Sequence, residues 1–231
     1  MALKVGVVGC RGIGERHSDC HAADDLADLV AVCDMVKDRA DSVAEKHKVK
    51  AYYSLADMLD GEPDLDVVDV CTGGNENGSW HFEPTMEALS ADKHVLCEKP
   101  ISNDVEEARC MVEAATERDL YLGCNLNHYF TKPADKAMEY MQDGKVGEVV
   151  YCLHRMGFHG GELTYKPAGG PNSAGFPYFH VKAFLAHPFS IMRHFCGDIA
   201  EVHCFALKAP GRKIYSTAQF NMRFASGAVG S

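Results

Sequence analysis

Short apolar runs alternate with longer helical segments through the first half of the chain. The runs are four or five residues long and show little polar alternation, at 5–8, 29–33, 67–71, 94–97 and 121–124. Between the last two runs, Val105, Ala108, Met111 and Ala115 have the spacing of one helix face. Alternating strands and helices build a parallel sheet with right-handed crossovers, and strands without polar alternation are buried on both faces. We therefore predict an α/β domain with a doubly wound sheet.

The pattern changes after residue 124. The later segments predict strands at 148–156, 200–207 and 215–224, and a short helix at 188–196. Residues 157–177 form a glycine- and proline-rich loop of a length that is typical of functional or mobile loops. A further strand begins near 227–231. We expect two domains, 1–124 and 125–231, the second an α+β domain whose large open sheet is incomplete at the C-terminus.

Charge and composition exclude several partners. The net charge is −10, whereas binders of nucleic acid or anionic membranes carry clustered Lys and Arg. No run approaches the roughly 20 apolar residues that span a bilayer. The ten cysteines include no C-x-x-C pair, which argues against a structural zinc site. With no signal peptide at the start, we expect a cytoplasmic chain with reduced thiols.

A glycine-rich turn, G-C-R-G-I-G at residues 9–14, follows the first strand. Gly9 permits the tight turn, Gly14 permits close packing of helix on strand, and the new helix directs its amides at a pyrophosphate. Arg11 stands where a second glycine normally admits the backbone to the phosphates, so it leans onto phosphate or the cofactor is displaced. The prediction is a Rossmann turn with dinucleotide contacts at Gly9, Arg11, Gly12, Ile13 and Gly14.

Asp34 ends the second strand, 20 residues after Gly14. A carboxylate there accepts hydrogen bonds from the adenosine ribose hydroxyls and repels a 2′-phosphate. The cofactor is therefore predicted to be NAD, with NADP disfavoured. The structural alternatives are an ordinary strand-to-helix turn for the glycines and a helix N-cap for Asp34.

Polar side chains follow several of the predicted parallel strands. Glu98-Lys99-Pro100 closes the strand 94–97, and the other candidates follow the strands 67–71 and 121–124: Thr72, Asn75, Asn125, Asn127, His128 and Tyr129. The carboxyl ends of parallel strands converge on the crevice where open α/β sheets bind ligands. Asn and His also offer the donors and acceptors that sugar hydroxyls need. The alternatives are loop capping for these residues and a solvated surface charge for Lys99.

Three motifs together resemble the glucose-fructose oxidoreductase / inositol dehydrogenase / rhizopine catabolism (Gfo/Idh/MocA) family: V-V-G-C-R-G-I-G-E-R-H at 7–17, V-A-V-C-D at 30–34 and H-V-L-C-E-K-P at 94–100. The resemblance implies a Rossmann domain, a substrate domain on a large open sheet and NAD(P)-dependent oxidation of sugars, cyclitols and related polyols. It also implies a homo-oligomer formed through the substrate-domain sheet. Family members are usually longer, so part of that sheet is expected to be missing.

The resemblance also assigns roles to single residues. Lys99 is the implied catalytic lysine beside the nicotinamide, and Glu98 is the implied contact to the nicotinamide ribose. His187 falls on the position of the catalytic histidine, whereas Ala183 occupies that of its partner aspartate. His180 or Lys182 is the candidate substitute for the missing partner. Further implied contacts are Thr72 and Asn75 to the cofactor, and Asn125, Asn127, His128, Tyr129, His180 and His187 to the substrate.

Three function classes stay open at this point. The leading one is an oxidoreductase that moves a hydride between a nicotinamide cofactor and a secondary alcohol. The others are a glycoside hydrolase that uses NAD transiently and a non-catalytic NAD-binding sensor. The presence of Lys99 argues against the sensor, whereas the alanine at position 183, in place of the aspartate, argues for it. His17, Cys20 and His21 share one helix face and could bind a metal, but packing is the favoured interpretation and no metal is predicted.

Overall fold

The computed structural model describes residues 2–73, 80–157, 178–208, 210, 215 and 217–231. The chain divides into two compact units, Met1–Asn125 and Leu126–Ser231. Among the described residues, no helix has both the length and the apolar character needed to cross a bilayer.

The first unit contains a parallel sheet of six strands: β1 (Leu3–Val8), β2 (Ala27–Cys33), β3 (Lys50–Tyr52), β4 (Val67–Val70), β5 (His94–Cys97) and β6 (Leu122–Cys124). The strand order is β3-β2-β1-β4-β5-β6 and every pairing is parallel. This order confirms the predicted Rossmann fold. Only β3 lacked a signal in the sequence, because this short edge strand carries no apolar run.

Five helices connect these strands: α1 (Ile13–Ala23), α2 (Lys37–His47), α3 (Leu55–Gly61), α4 (Phe82–Ser90) and α5 (Val105–Glu117). The sheet is buried on both faces, since neighbouring strand residues belong to different apolar clusters. Val8 and Ala31 lie in one cluster, and Val7 and Val32 lie in the other. Because side chains alternate along a strand, each cluster fills one face. The strand ends are thus held on a rigid sheet.

The second unit contains a 3-10 turn (Asn127–Phe130), helices α6 (Lys132–Gln142) and α7 (Phe179–Cys196), and strands β7 (Tyr151–Cys152), β8 (Ile199–Leu207), β9 (Thr217–Phe224) and β10 (Val229–Gly230). The strands form a mixed sheet in the order β7-β10-β9-β8, in which only β10 and β7 pair in parallel. Helix α7 packs on this sheet through Met192 and Cys196, which lie against Met222 and Phe224.

Two predicted elements of this unit differ from the structure. The strand expected over 148–156 is confined to Tyr151–Cys152, and the helix expected to start at Pro188 begins at Phe179. Proline favours a first helical turn, and inside a helix it removes one backbone hydrogen bond and its ring crowds the carbonyl four residues earlier. Packing of α7 on the sheet offsets that loss. Most of the loop predicted at 157–177 lies outside the described residues.

Candidate functional site

The turn between β1 and α1 is wound as the glycine pattern predicts. Gly9 has a φ of +95°, and a Cβ there would lie 2.8 Å from the Cys71 carbonyl carbon. A Cβ on Gly14 would lie 1.6 Å from the Gly9 oxygen. Gly12, with a φ of +50°, faces open space, and its neighbours Arg11 and Ile13 are exposed. The first turn of α1 is therefore accessible at its amide end, as a bound pyrophosphate requires.

Asp34 directly follows β2 and links it to the glycine turn. Its Oδ2 accepts a hydrogen bond from the Cys10 amide (2.9 Å), and its Oδ1 accepts one from the Val36 amide (2.8 Å). Arg39 Nη1 lies 3.9 Å from Oδ1. The N-cap of α2 is Val36, not Asp34, so the capping alternative for Asp34 is wrong. Each carboxylate oxygen keeps a lone pair for a further donor.

Glu98 and Lys99 stand at the carboxyl end of β5. Glu98 is 7% exposed, and its Oε2 accepts a hydrogen bond from the Lys99 amide (3.1 Å). Its Oε1 accepts one from Asn125 Nδ2 (2.5 Å). Burial alone would raise the pKa of Glu98, but hydrogen bonds from His17 and Asn125 and the charge of Lys99 outweigh it and lower the pKa. Lys99 itself is partly buried and is not a freely solvated surface charge.

A buried acid near this strand end, Asp69, was not predicted from the sequence. Asp69, in the middle of β4, is 0% exposed. Its Oδ2 accepts hydrogen bonds from His17 Nδ1 (2.9 Å) and His21 Nε2 (2.7 Å). The pKa of Asp69 is lowered because these two bonds outweigh the effect of burial. One signal was available: Asp69 is the charged residue inside the apolar run 67–71.

His17 links Asp69 to Glu98. Its Nε2 lies 3.3 Å from Glu98 Oε1 and 3.1 Å from Asn125 Nδ2. Burial lowers the pKa of His17, but the hydrogen bonds and charges of Asp69 and Glu98 outweigh it and raise the pKa to about 10. Near neutral pH the ring is therefore an imidazolium between two carboxylates.

His17, His21 and Asp69 also place their donor atoms within 4.8 Å of one another, as ligands of a metal ion would be. The N···O separations of 2.7 and 2.9 Å are, however, those of hydrogen bonds. Ligand atoms about 2.0–2.1 Å from a tetrahedral zinc lie about 3.3 Å apart. The geometry of these three residues is that of an ion-pair network.

Three histidines cluster in the second unit. The His128 ring, in the 3-10 turn, stacks on His187 with centroids 4.1 Å apart and planes 13° apart. The His154 ring lies 6.4 Å from His128, and burial together with the charge of His128 lowers its pKa. His187 lies inside α7, eight residues after its start at Phe179, and is therefore not an N-terminal residue of the helix that the sequence predicted to start at Pro188. Ala183, one turn earlier, is 1% exposed.

The remaining predicted site residues are dispersed. Thr72 donates its hydroxyl to the Trp80 carbonyl (2.8 Å), as the loop-capping alternative describes. Asn127 is exposed, and Tyr129 stacks on His194 with centroids 5.3 Å apart. Asn125 belongs to the first unit, where it contacts Glu98 and His17. Asn75 and the side chain of His180 lie outside the described residues.

Comparison with known proteins identifies the first unit. Residues 3–126 match the sequence profile of GFO_IDH_MocA, an oxidoreductase family with an NAD-binding Rossmann fold. This match covers more than half of the 231 residues. The chain belongs to the Gfo/Idh/MocA family. The resemblance drawn from the three motifs is thereby confirmed.

Two curated relatives of this chain are named as dehydrogenases of myo-inositol and of a D-glucoside. The myo-inositol 2-dehydrogenase of Thermotoga maritima is 28% identical, and the match covers 99% of this chain and 67% of the relative. The D-glucoside 3-dehydrogenase of Escherichia coli is 30% identical over 86% of this chain and 62% of the relative. This chain therefore spans about two thirds of the length of either relative.

Solved structures share the fold along the whole chain. An NAD binding oxidoreductase from Klebsiella pneumoniae is 25% identical with a TM-score of 0.84, and the match covers 100% of this chain and 65% of that one. An oxidoreductase from Agrobacterium radiobacter, in complex with NAD+, L-tartaric acid and magnesium, has the same TM-score and coverage at 20% identity. The predicted class, a Rossmann domain followed by a second domain with its own sheet, is confirmed.

Proposed function

We propose that this protein is an NAD-dependent dehydrogenase of a secondary alcohol on a sugar, cyclitol or related polyol. The observation that carries the proposal is the arrangement of three groups at the carboxyl ends of one parallel sheet. The open glycine turn follows β1, Asp34 follows β2 and Glu98-Lys99 follows β5. This edge is where doubly wound sheets bind dinucleotides. The activities named for the two curated relatives supply the substrate class.

The residues of the first unit fit a dinucleotide. The exposed amide end of α1 suits the pyrophosphate, and the half-satisfied carboxylate of Asp34 suits two ribose hydroxyls. The negative charge of Asp34 supports NAD over NADP, because it repels a 2′-phosphate. When bound, the nicotinamide supplies the hydride acceptor. Glu98 is proposed to hold the ribose next to it.

Lys99 is proposed as the catalytic residue beside the reacting carbon. Removing a hydride from a secondary alcohol requires stabilisation of the incipient alkoxide and removal of the hydroxyl proton. The Lys99 ammonium supplies the stabilisation. His187 is proposed to take the proton, because imidazole titrates near neutral pH. Asn127, His128 and Tyr129 are proposed to contact the substrate hydroxyls.

A substrate panel tests this function. The purified protein is incubated with NAD and a series of sugars, inositols and uronates, and nicotinamide reduction is followed by absorbance. With the substrate found, Lys99→Met should lower kcat at least about hundredfold while the Kd for NAD changes less than about threefold. The rate of the wild type should rise with pH, because a general base must lose its own proton before it accepts one, and His187→Ala should remove this rise. Lys132→Met, at an exposed lysine of α6, is the matched control and should keep the wild-type rate.

Other outcomes would replace the proposal. Cleavage of a glycoside without net NADH formation would establish a hydrolase that uses NAD transiently. Tight NAD binding with no turnover on any member of the panel would favour the sensor. Normal turnover by Lys99→Met would remove that residue from the mechanism.

We further propose that the protein forms a homo-oligomer through the sheet of the second unit. Support comes from apolar side chains on β8: Phe205 is 64% exposed and Leu207 is 59% exposed. Both pair with residues of β9, Gln219 and Thr217, that are also exposed. An exposed group of large apolar side chains on a sheet, as these are among the described residues, is typical of an interface.

A further inference from the structure

Glu98 is held at this edge of the sheet by two side chains and one backbone amide. Its Oε1 contacts both the Asn125 amide group and the His17 ring, and its Oε2 accepts a hydrogen bond from the Lys99 backbone. Of these partners only His17 brings a ring that is itself anchored from the other side. The anchor is Asp69.

Asp69 has no role in the sheet that requires a carboxylate. Its backbone pairs with Val7 on one side and Leu96 on the other, as any residue of a central strand would. A buried carboxylate is costly unless it is paired. The side-chain contacts described for it are His17, His21 and Cys71. The carboxylate therefore orients these partners, and His17 is the one that reaches Glu98.

We propose that His17 is a positioning residue: its ring bridges the buried carboxylate of Asp69 and that of Glu98, and thereby fixes Glu98 for contact with the nicotinamide-side ribose of the dinucleotide. The inference rests on the proposed function for the role of Glu98. Behind the contact of Glu98 with the cofactor, the inference places a chain of side chains from Asp69 on β4 through His17 on α1 to Glu98 at the end of β5. Both nitrogens fix the orientation of the His17 ring: Nδ1 lies 2.9 Å from Asp69 Oδ2, and Nε2 lies 3.3 Å from Glu98 Oε1.

The charges around His17 come from three elements. Asp69 lies in β4 and the Cys71 thiol, whose Sγ lies 3.2 Å from Nδ1, directly follows that strand, whereas Glu98 directly follows β5. His21 is the neighbour on α1 and shares the Asp69 oxygen. The acids Glu15 and Asp19, also on α1, are exposed and paired with Lys46. With two buried carboxylates against it, the ring is held as a cation.

Removing this cation should make cofactor binding depend on pH. Removing His17 takes away the largest contribution that opposes burial at Glu98, so the pKa of Glu98 should rise, although the Asn125 hydrogen bond and the Lys99 charge remain. A protonated carboxyl group accepts hydrogen bonds from ribose hydroxyls poorly. Affinity should therefore fall as the pH is lowered through the new pKa. In the wild type Glu98 stays ionised, so affinity should be nearly constant over the same range.

The experiment measures the Kd for NADH by fluorescence between pH 6.5 and 8.5. The Kd of the wild type should change less than about twofold over this range. The Kd of His17→Gln should increase about tenfold when the pH is lowered from 8.5 to 6.5. His21→Gln is the matched control, because His21 contacts Asp69 without touching Glu98, and it should behave as the wild type. Adding Glu98→Gln to His17→Gln should abolish the pH dependence, which identifies Glu98 as the titrating group.

A second measurement needs no variant. In wild-type protein with 15N-labelled histidine, both ring nitrogens of His17 should be protonated at pH 8.5. This measurement tests the inference even if His17→Gln does not fold. A neutral His17 ring at pH 8.5 would overturn the inference. If the wild type binds NADH and His17→Gln matches it at every pH, only the inference fails. If the wild type binds no NADH at any pH, the proposed function itself fails.

Discussion

At the scale of single residues, the Asp34 carboxylate is expected to set the choice between the two nicotinamide dinucleotides. The wild type should bind NAD more tightly than NADP, because the 2′-phosphate would lie against this negative charge. Asp34→Asn keeps an oxygen for the Cys10 amide but removes the charge. Asp34→Asn should therefore lower the ratio of NAD affinity to NADP affinity by at least about tenfold. Calorimetric titration with both cofactors measures the ratio.

Asp38→Asn is the matched control for Asp34, since Asp38 is an exposed carboxylate in the first turn of α2. Its ratio of NAD to NADP affinity should equal that of the wild type. Tighter NADP binding by the wild type would refute the role given to Asp34. In that case Arg39, 3.9 Å from the carboxylate, would be the residue to change next.

At the scale of elements, the β1–α1 turn depends on two glycines for different reasons. Gly14→Ala would place a Cβ 1.6 Å from the Gly9 oxygen, so backbone must move. Gly12→Ala meets no atom within 4 Å and is strained only by its φ of +50°. We expect Gly12→Ala to lower the free energy of unfolding by about 1 kcal/mol and Gly14→Ala by about 3 kcal/mol or more. Urea denaturation of both variants measures the difference, and equal losses would show that the turn has room at Gly14.

At the scale of the whole molecule, the exposed face of the second sheet should join copies of the chain. Phe205→Glu places a charge on that face and should convert an oligomer into a monomer in sedimentation velocity. Val112→Glu, at another exposed apolar residue, on α5 with 53% exposure, is the control and should leave the oligomer intact. A monomeric wild type at micromolar concentration would contradict the proposed interface.

Much of the fold could be predicted from the sequence because its signals are local and periodic. Apolar runs without polar alternation indicated strands buried on both faces, and the structure has them in two apolar clusters. The glycine turn was equally predictable, since a positive φ at Gly9 and a missing Cβ at Gly14 are demands that few other residues meet. The helix α7 was mispredicted at its start because a local rule for Pro188 competed with packing farther along the chain.

What the sequence alone determined is therefore the parallel sheet, the dinucleotide turn and the polar residues at the strand ends, all of which follow from short-range patterns. Only the tertiary structure decided which of those residues meet. His17 lies 52 positions from Asp69 and 108 from Asn125, and neither spacing leaves a local signature. Strand order brings the ends of β4, β5 and β6 together, and burial there makes each unpaired charge costly. That cost is the physical reason why a histidine, two acids and an amide converge at one edge of the sheet.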